Sequence, residues 1–479
     1  MREAWRSAEV RAAEKVLMSS LPEGTLMARA AAGLTRRCVM TLREGRPGRV
    51  YAARVTILAG PGDNGGDALY AGAELARRGA QVTAVPLQAD RLHPGGLAAL
   101  RAAGGRLADQ IPASVDLIID GLLGIGARGG LTGRGAELAE AANASTAPVI
   151  AVDLPSGVAA DTGDVPGPAV RADVTVTFGA LKPALVVGPA APLAGQVELI
   201  DIGLTLPGTP ALRIADAAMI ADWWPSPGPH DNKYSRGVVG LATGSAAFPG
   251  AALLSTRGAL AGPTGLVRYA GPAHADVVTL HPSVVVSPRV AEAGRVQAWV
   301  CGSGLGRDKH AGDELRAVLA TPVPAVLDAD AITLLVDGTM AGHLRARNAP
   351  TVLTPHDGEF TRLAGEAPGQ DRVAAALKLA AWTRSVVLLK GDRTIVADPG
   401  GEAWVNPTGH PSLATGGSGD VLAGLLGSLL AAGLTATRAA VAASFVHGLA
   451  GRHAAESGPV TAVEIAMALR SAVNFVTGG

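Results

Sequence analysis

The sequence predicts two consecutive α/β domains, each built on a largely parallel sheet with helices on both faces. Three features predict it. Short β-branched runs alternate with helical stretches in both halves, glycines gather where the strands end, and one proline-rich polar segment at 224–232 interrupts the alternation. In the first half a helix over 6–17 leads, and strands are expected at 55–58, 82–85, 115–119, 149–152 and 174–176. A helix over 68–79 lies between the first two. These strands are apolar throughout, as in a sheet covered on both faces. In the second half strands are expected at 237–241, 296–300, 325–327, 352–353, 386–389 and 394–397. The expected organisation is a domain over 1–210, a linker over 211–233 and a domain over 234–479.

Apolar residues make up 48% of the 479 and aromatics only 3%, so the core has to be packed with Ala, Val and Leu. Lys+Arg and Asp+Glu both number 41, which gives no push towards nucleic acid or an anionic membrane. A small anionic ligand held by local backbone dipoles remains compatible with that balance. The two cysteines, Cys38 and Cys301, suggest no disulfide framework and fit a reducing, cytoplasmic setting. No signal-peptide core is expected at the start of the chain. The longest uncharged stretch, 421–437, is shorter than the roughly 20 residues of a membrane span and reads as a buried helix.

Ala59-Gly60-Pro61-Gly62-Asp63-Asn64-Gly65-Gly66-Asp67 follows a strand and opens a helix. Glycines there let the backbone approach a ligand, and the helix start offers free N–H groups and positive dipole character. A tight βα turn explains the glycines alone, but not Asn64 and Asp67. Two more polar segments end strands: Asp120-Gly121-Leu122-Leu123-Gly124-Ile125-Gly126-Ala127-Arg128-Gly129-Gly130, and Asp153-Leu154-Pro155-Ser156-Gly157. Asp120 and Asp153 could each be turn caps. Three such segments at the carboxyl ends of one doubly wound sheet favour a site. The pattern G-x-x-N-G-G-D, D-G-L-L-G-x-G, D-x-P-S-G resembles the NAD(P)H-hydrate epimerase domain, from the first helix to residue 205. The resemblance implies a Rossmann-like three-layer domain. It also implies that Asn64, Asp120 and Ser156 bind potassium, and that Asp63, Asn64, Gly65, Gly66, Asp67 and the residues Gly124, Ile125, Gly126, Ala127, Arg128, Gly129 and Gly130 contact the hydrated dinucleotide. Asp153 would sit beside the reacting ring. Many relatives carry Asn where this chain has Asp63.

In the second half, Thr415-Gly416-Gly417-Ser418-Gly419-Asp420 opens a long apolar helix. Successive N–H groups of the small residues can form an anion nest, and the helix dipole points at the same place. Asp420 can there accept a proton from an attacking hydroxyl, or simply cap the helix. Thr354-Pro355-His356-Asp357-Gly358-Glu359-Phe360 ends a strand, and Lys390-Gly391-Asp392-Arg393-Thr394 reads as a hairpin at a nucleotide's edge. Cys301 reads as a small buried hydrophobe rather than a nucleophile. Residues 230–475 resemble the ADP-dependent NAD(P)H-hydrate dehydratase, which is ribokinase-like. The resemblance implies that Lys390, Gly391, Asp392, Arg393, Thr394 and Gly419 bind the AMP part of ADP, and that Ala251, Gly304, His356 and Asp420 bind the hydrated substrate, with Asp420 as base. Relatives often carry Pro in place of Ser303 and of Asp357.

Taken together, the resemblances imply an enzyme that epimerises hydrated NADH or NADPH and dehydrates the S form with ADP, using magnesium and potassium. They imply small-molecule substrates and a homo-oligomer. Two rival readings are a small-molecule kinase using ATP, and an N-terminal unit that only senses nucleotides.

Overall fold

In the computed structural model, residues 2–45, 47–126 and 129–478 are described. They form two compact units, which divide between Ala211 and Leu212.

The N-terminal unit opens with helices α1 (Ser7–Ser19) and α2 (Thr25–Glu44). Strand β1 (Arg54–Ala59), helix α3 (Asp63–Arg77), β2 (Gln81–Pro86), α4 (Pro94–Ala102) and the short β3 (Arg106–Leu107) follow. Then come β4 (Leu117–Gly121), α5 (Arg134–Asn143), β5 (Val149–Val152), β6 (Val174–Phe178) and β7 (Gln196–Ile200). The strands lie in the order β3-β2-β1-β4-β5-β6-β7, all parallel. Adjacent residues of β1 face opposite sides. Ile57 packs with Ile119 and Ile150 on one face, Leu58 with Ile118 and Val149 on the other. That is the expected three-layer arrangement. The strand order reverses between β1 and β4, whose ends are level (Ala59 opposite Gly121). Helix α2 and edge strand β7 were not anticipated from the sequence. The half-exposed β7 lacks the apolar run that marks the inner strands.

In the C-terminal unit, β8 (Leu212–Ile214) and α6 (Ala217–Trp223) precede β9 (Val238–Ala242), α7 (Pro249–Ala261), β10 (Leu266–Ala270), α8 (His274–Leu280) and β11 (Val285–Ser287). Next are β12 (Ala298–Cys301), α9 (Lys309–Leu319), β13 (Ala325–Leu327), α10 (Asp330–Leu334), α11 (Gly338–Ala346), β14 (Thr351–Leu353) and α12 (Asp357–Ala364). The unit closes with α13 (Arg372–Thr383), β15 (Val386–Leu389), β16 (Ile395–Ala397), β17 (Ala403–Val405), α14 (Ser418–Ala431), α15 (Ala436–Ala455) and α16 (Ala462–Thr477). The strands from Leu212 onward run in the order β8-β17-β16-β15-β14-β13-β12-β9-β10-β11. They are parallel except where β16 pairs antiparallel with β15 and β17, so Lys390–Thr394 does join two antiparallel strands.

Two expectations need correction. The stretch 211–233 is not simply a linker. Leu212 and Ile214 are buried in β8, which pairs with β17, and Asp216 caps α6 by accepting from the Met219 N–H at 2.9 Å. Only from Trp224 does the chain lack helix or strand until Val238. The apolar stretch 421–437 is two helices rather than one, because Gly433 adopts φ +97° and Thr435 then caps α15.

Helix α14 is buried almost all round and crosses α7 at very close range. A Cβ on Gly424 would fall on the Ser255 carbonyl, and one on Gly258 on the Val421 carbonyl. Gly424→Ala is therefore expected to cost about 1–3 kcal/mol through overpacking. It should lower the denaturant midpoint of this unit and displace the start of α14. An unchanged midpoint would mean that the two helices part without cost.

Candidate active sites

The N-terminal site lies where β1 and β4 diverge. Gly60 passes so close to Leu122 that a Cβ would fall on its carbonyl, and a Cβ on Gly65 would fall on the Gly60 carbonyl. Gly62, at φ +117°, turns the chain into α3. This leaves Asp63 exposed, Asn64 half-buried, and Gly65, Gly66 and Asp67 buried in the first turns of α3. At the end of β4, Asp120 is fully buried. Ser156 donates its N–H to one Asp120 oxygen at 2.8 Å and its hydroxyl to the other at 2.7 Å. Burial pushes the Asp120 carboxyl up to about 6, although the Ser156 hydrogen bonds oppose it. The same hydroxyl accepts from the Leu123 N–H at 2.9 Å.

Asp153 follows β5 in a left-handed conformation (φ +66°), unusual for a residue with a side chain. Its Oδ1 accepts from Lys182 Nζ at 2.5 Å and from the Thr177 hydroxyl at 3.0 Å. Lys182 is only 1% exposed and also donates to the Thr177 hydroxyl and the Phe178 carbonyl. Half-buried Glu14 of α1 joins this group. Burial raises its carboxyl, Lys182 lowers it, and Asp153 and Asp63 raise it. Sequence reasoning missed Glu14 and Lys182. The signal for Lys182 was present, as a lone charge in an apolar run just after a strand. Gly124 lies against the Asn64 side chain, Ile125 packs with Trp5 and Val10, and Gly126 faces open space. Gly129 adopts φ +79° and Gly130 touches the Gly167 backbone. Ala127 and Arg128 lie outside the described residues.

The C-terminal site is built around Asp420, in the first turn of α14. Gly417 caps that helix in the left-handed conformation (φ +87°). Asp328, 2% exposed at the end of β13, is the hub. It accepts from Lys390 Nζ at 2.9 Å, the Thr354 hydroxyl at 2.7 Å and the Ser303 hydroxyl at 2.8 Å. Burial alone would raise its carboxyl. Lys390 and the three hydrogen bonds outweigh that and hold it below the usual range. Asp420 goes the other way, up to about 7, through burial and then the charge of Asp328. Lys390 and a hydrogen bond with Ser303 resist the shift. Lys390 also reaches Glu359 at 3.7 Å. Its burial disfavours the charged form, yet Asp328 and Glu359 raise its pKa on balance. It is thus no free solvated charge.

His356 caps α12, its Nδ1 accepting from the Gly358 N–H at 3.0 Å, and Glu359 closes the capping box. Gly304 (φ +60°) approaches Ala251 so closely that a Cβ there would meet the Ala251 methyl. Gly419 lies beside Lys390 Nζ. Gly391 and Asp392 are exposed, whereas Thr394 is buried. Arg393 donates to the Pro407 carbonyl at 2.9 Å, fixing the hairpin against that loop. The structure thus brings Lys390, Gly419 and Asp420 into one cluster and pairs Ala251 with Gly304. Residues missed from the sequence are Asp328, Thr354 and His447. Buried His447 has its pKa lowered to about 4 by burial and lies 3.3 Å from the Ser418 hydroxyl under the start of α14. Cys301 is buried and its thiol pushed up by burial. A separate cavity of about 780 Å³ beside α9 and α11 makes a poor rival site. Its Arg347 guanidinium is already occupied by four backbone carbonyls.

Comparison with known proteins follows the same division. A family described as NAD(P)H-hydrate dehydratase matches residues 239–471, and one described as YjeF-related protein N-terminus matches residues 23–184. The bifunctional NAD(P)H-hydrate repair enzyme Nnr of Mycobacterium tuberculosis H37Rv is 49% identical over 442 residues, 92% of this chain and 91% of that protein. The chain belongs to the bifunctional NAD(P)H-hydrate repair enzyme family. A Bacillus subtilis ADP/ATP-dependent NAD(P)H-hydrate dehydratase, crystallised with ATP and Mg2+, is similar in structure with a TM-score of 0.50 and 26% identity. That match covers 55% of this chain and 99% of the other. A ribokinase-like superfamily protein of Enterococcus faecalis V583 matches at a TM-score of 0.51 and 26% identity, covering 57% and 100%. In family terms, the first site described here falls in the YjeF-related half and the second in the dehydratase half. No described helix is long and apolar enough to cross a membrane.

Proposed function

We propose that this repair-family chain restores hydrated NADH and NADPH, its N-terminal unit interconverting the R and S hydrates and its C-terminal unit dehydrating the S form with ADP. The observation that carries the reading is the Asp420 carboxyl at the mouth of the α14 nest, half-way to protonation near neutrality and flanked by Lys390 and Asp328. A base so poised can take the proton of the substrate hydroxyl as that oxygen attacks the terminal phosphorus of ADP. AMP leaves. Loss of the resulting phosphate, together with a ring proton, then restores the double bond. Ala251, Gly304 and His356 border the substrate. Lys390, Gly391, Asp392, Arg393, Thr394 and Gly419 hold the AMP portion. When bound, magnesium would neutralise phosphoryl charge, and Asp330, whose charge is felt at Asp420, would be a carboxylate available to it beside the substrate phosphates while Asp420 stays free as the base. Asp328 already accepts from three donors, Lys390 among them.

In the N-terminal unit, Asp153 is the acid/base group beside the ring. Residues Asp63 to Asp67 and Gly124 to Gly130 cradle the dinucleotide. Asn64, Asp120 and Ser156 offer only oxygens to a cation, which suits potassium. A fully buried carboxyl raised to about 6 is also what a bound cation would relieve. Both cysteines are unpaired and buried, which agrees with a reducing cytoplasm.

The test is the absorbance regained when the enzyme meets a mixture of both NADH hydrates with ADP, magnesium and potassium. Full recovery is expected, slower when choline replaces potassium. Recovery that stops at the S fraction would remove the epimerase half of the reading. No recovery with ADP, together with phosphorylation of other hydroxyl substrates by ATP, would replace it with a kinase.

A further inference from the structure

Four carboxyls (Glu14, Asp63, Asp67 and Asp153) and the Lys182 ammonium crowd the N-terminal site, and the mechanism above moves protons only through Asp153. Lys182 spends its donors on Asp153 Oδ1, the Thr177 hydroxyl and the Phe178 carbonyl, and at 1% exposure it cannot reach a ligand. Asp153 thus has one oxygen tied down from behind. Its Oδ2 has no partner among the described residues and is left for the substrate. Asp67 is different. It is 8% exposed, and its Oδ1 is buried without a hydrogen-bond partner among the described residues. An orphaned buried carboxylate oxygen is costly, and a protonated carboxyl is the cheaper form. Burial pushes Asp67 well above the ordinary range, and the charges of Asp153, Asp63 and Glu14 push it further. The charged groups acting on it are Asp153 after β5, Asp63 on its own helix and Glu14 of α1; Arg11 and Lys182 act on Glu14, and the His93 ring lies against the adjacent Gly66. One carboxyl is paired with an ammonium, and its neighbour, with a buried oxygen left unpartnered among the described residues, is pushed towards its protonated form. Environments that split two carboxyls in this way assign a base and an acid.

We propose that Asp67 is a catalytic acid working opposite Asp153, with Lys182 as the positioning residue that keeps Asp153 ready as the base. This rests on the reading of the N-terminal unit as an epimerase. The chemistry requires such a pair. Water adds to the nicotinamide double bond with its hydroxyl on the carbon bonded to the ring nitrogen, so the hydrate is a hemiaminal. Inverting that carbon needs a bond to break and re-form. Asp153 takes the hydroxyl proton, and the freed O–H electron pair makes the C=O bond. The C–N bond then breaks with its pair going to nitrogen, where the carboxamide-bearing double bond spreads the charge, and nitrogen takes the proton of Asp67. The aldehyde turns about its single C–C bond and presents its other face. The same steps in reverse close the ring and return both protons. No co-substrate is consumed.

The experiment gives the full chain purified R hydrate without ADP, so that dehydration is silent, and separates the epimers by chromatography. For Asp67→Asn the expected result is a loss of about 10²–10⁴-fold in kcat with KM little changed. ADP-driven dehydration of S hydrate by the same preparation should keep its rate. For Lys182→Met kcat should fall with KM little changed, because Asp153 Oδ1 loses the donor that holds it, and Lys182→Arg, which keeps a donor there, should recover part of the loss. Wild-type kcat in Asp67→Asn, or in Lys182→Met, would overturn the proposal. Failure of the unaltered enzyme to epimerise at all would instead overturn the reading on which it rests. If Asp67→Asn loses the fold of its unit, the unaltered enzyme decides. Its rate has to fall on the alkaline side as Asp67 gives up its proton, and a flat alkaline side would rule Asp67 out.

Discussion

Asp420→Ala should remove dehydration of S hydrate while epimerisation by the same chain continues. The expected loss is about 10²–10⁴-fold in the rate of absorbance recovery, the usual worth of a positioned general base. The pH dependence should identify the group. A base works ionised, so kcat/KM should rise with pH along an acidic limb near 7, where burial and Asp328 have placed the Asp420 carboxyl. Two neighbours should move that limb in opposite directions. Ser303 hydrogen-bonds Asp420 and favours its ionised form, so Ser303→Ala should shift the limb up. Asp328 repels that form, and Asp328→Asn should shift the limb down. The second shift is reinforced because Lys390 then turns its uncompensated charge on Asp420. A limb that ignores both substitutions would belong to some other group. A dehydratase that survives Asp420→Ala would remove the proposed base altogether.

Asp153→Ala should disable the N-terminal unit twice, in activity and in stability. Recovery from a mixture of hydrates would stop at the S fraction. The substitution also strands Lys182, 1% exposed, with only the Thr177 hydroxyl and the Phe178 carbonyl as partners. Breaking one side of a buried ion pair costs about 3–5 kcal/mol, whereas removing both charges is often close to neutral. The double variant Asp153→Ala/Lys182→Met should therefore regain much of the lost stability and none of the epimerase activity. The unfolding transition of the N-terminal unit in urea measures this. A single variant as stable as the parent would mean that the pair is solvated rather than buried.

The sequence by itself determined the α/β class of both units. Its strands are uniformly apolar, and that pattern records burial on both faces whatever the neighbours are. It also marked the strand-end segments around Asn64, Asp120, Asp153 and His356, and the glycine-rich helix start at Asp420. Glycine runs and polar residues at the end of an apolar strand have few purely structural reasons to coincide. What it could not show were the partners. Lys182 is 29 residues from Asp153, and Asp328 is 62 from Lys390. Only the parallel sheets, which return each strand to the same edge, bring those charges within hydrogen-bond reach. Nor could the sequence show β8 and α6 inside the expected linker, since three alternating residues become a strand only beside a waiting edge such as β17. The same holds for proton affinity. Asp120, Asp153, Asp328 and Asp420 are one residue type in similar contexts, following isoleucine, valine, leucine and glycine in turn. The fold sets them apart. It buries Asp420 next to another carboxylate, gives Asp328 a lysine and two hydroxyls, and leaves Asp67 with an oxygen that has no hydrogen-bond partner among the described residues. Desolvation and paired charge are properties of enclosure, and enclosure exists only once the chain has folded.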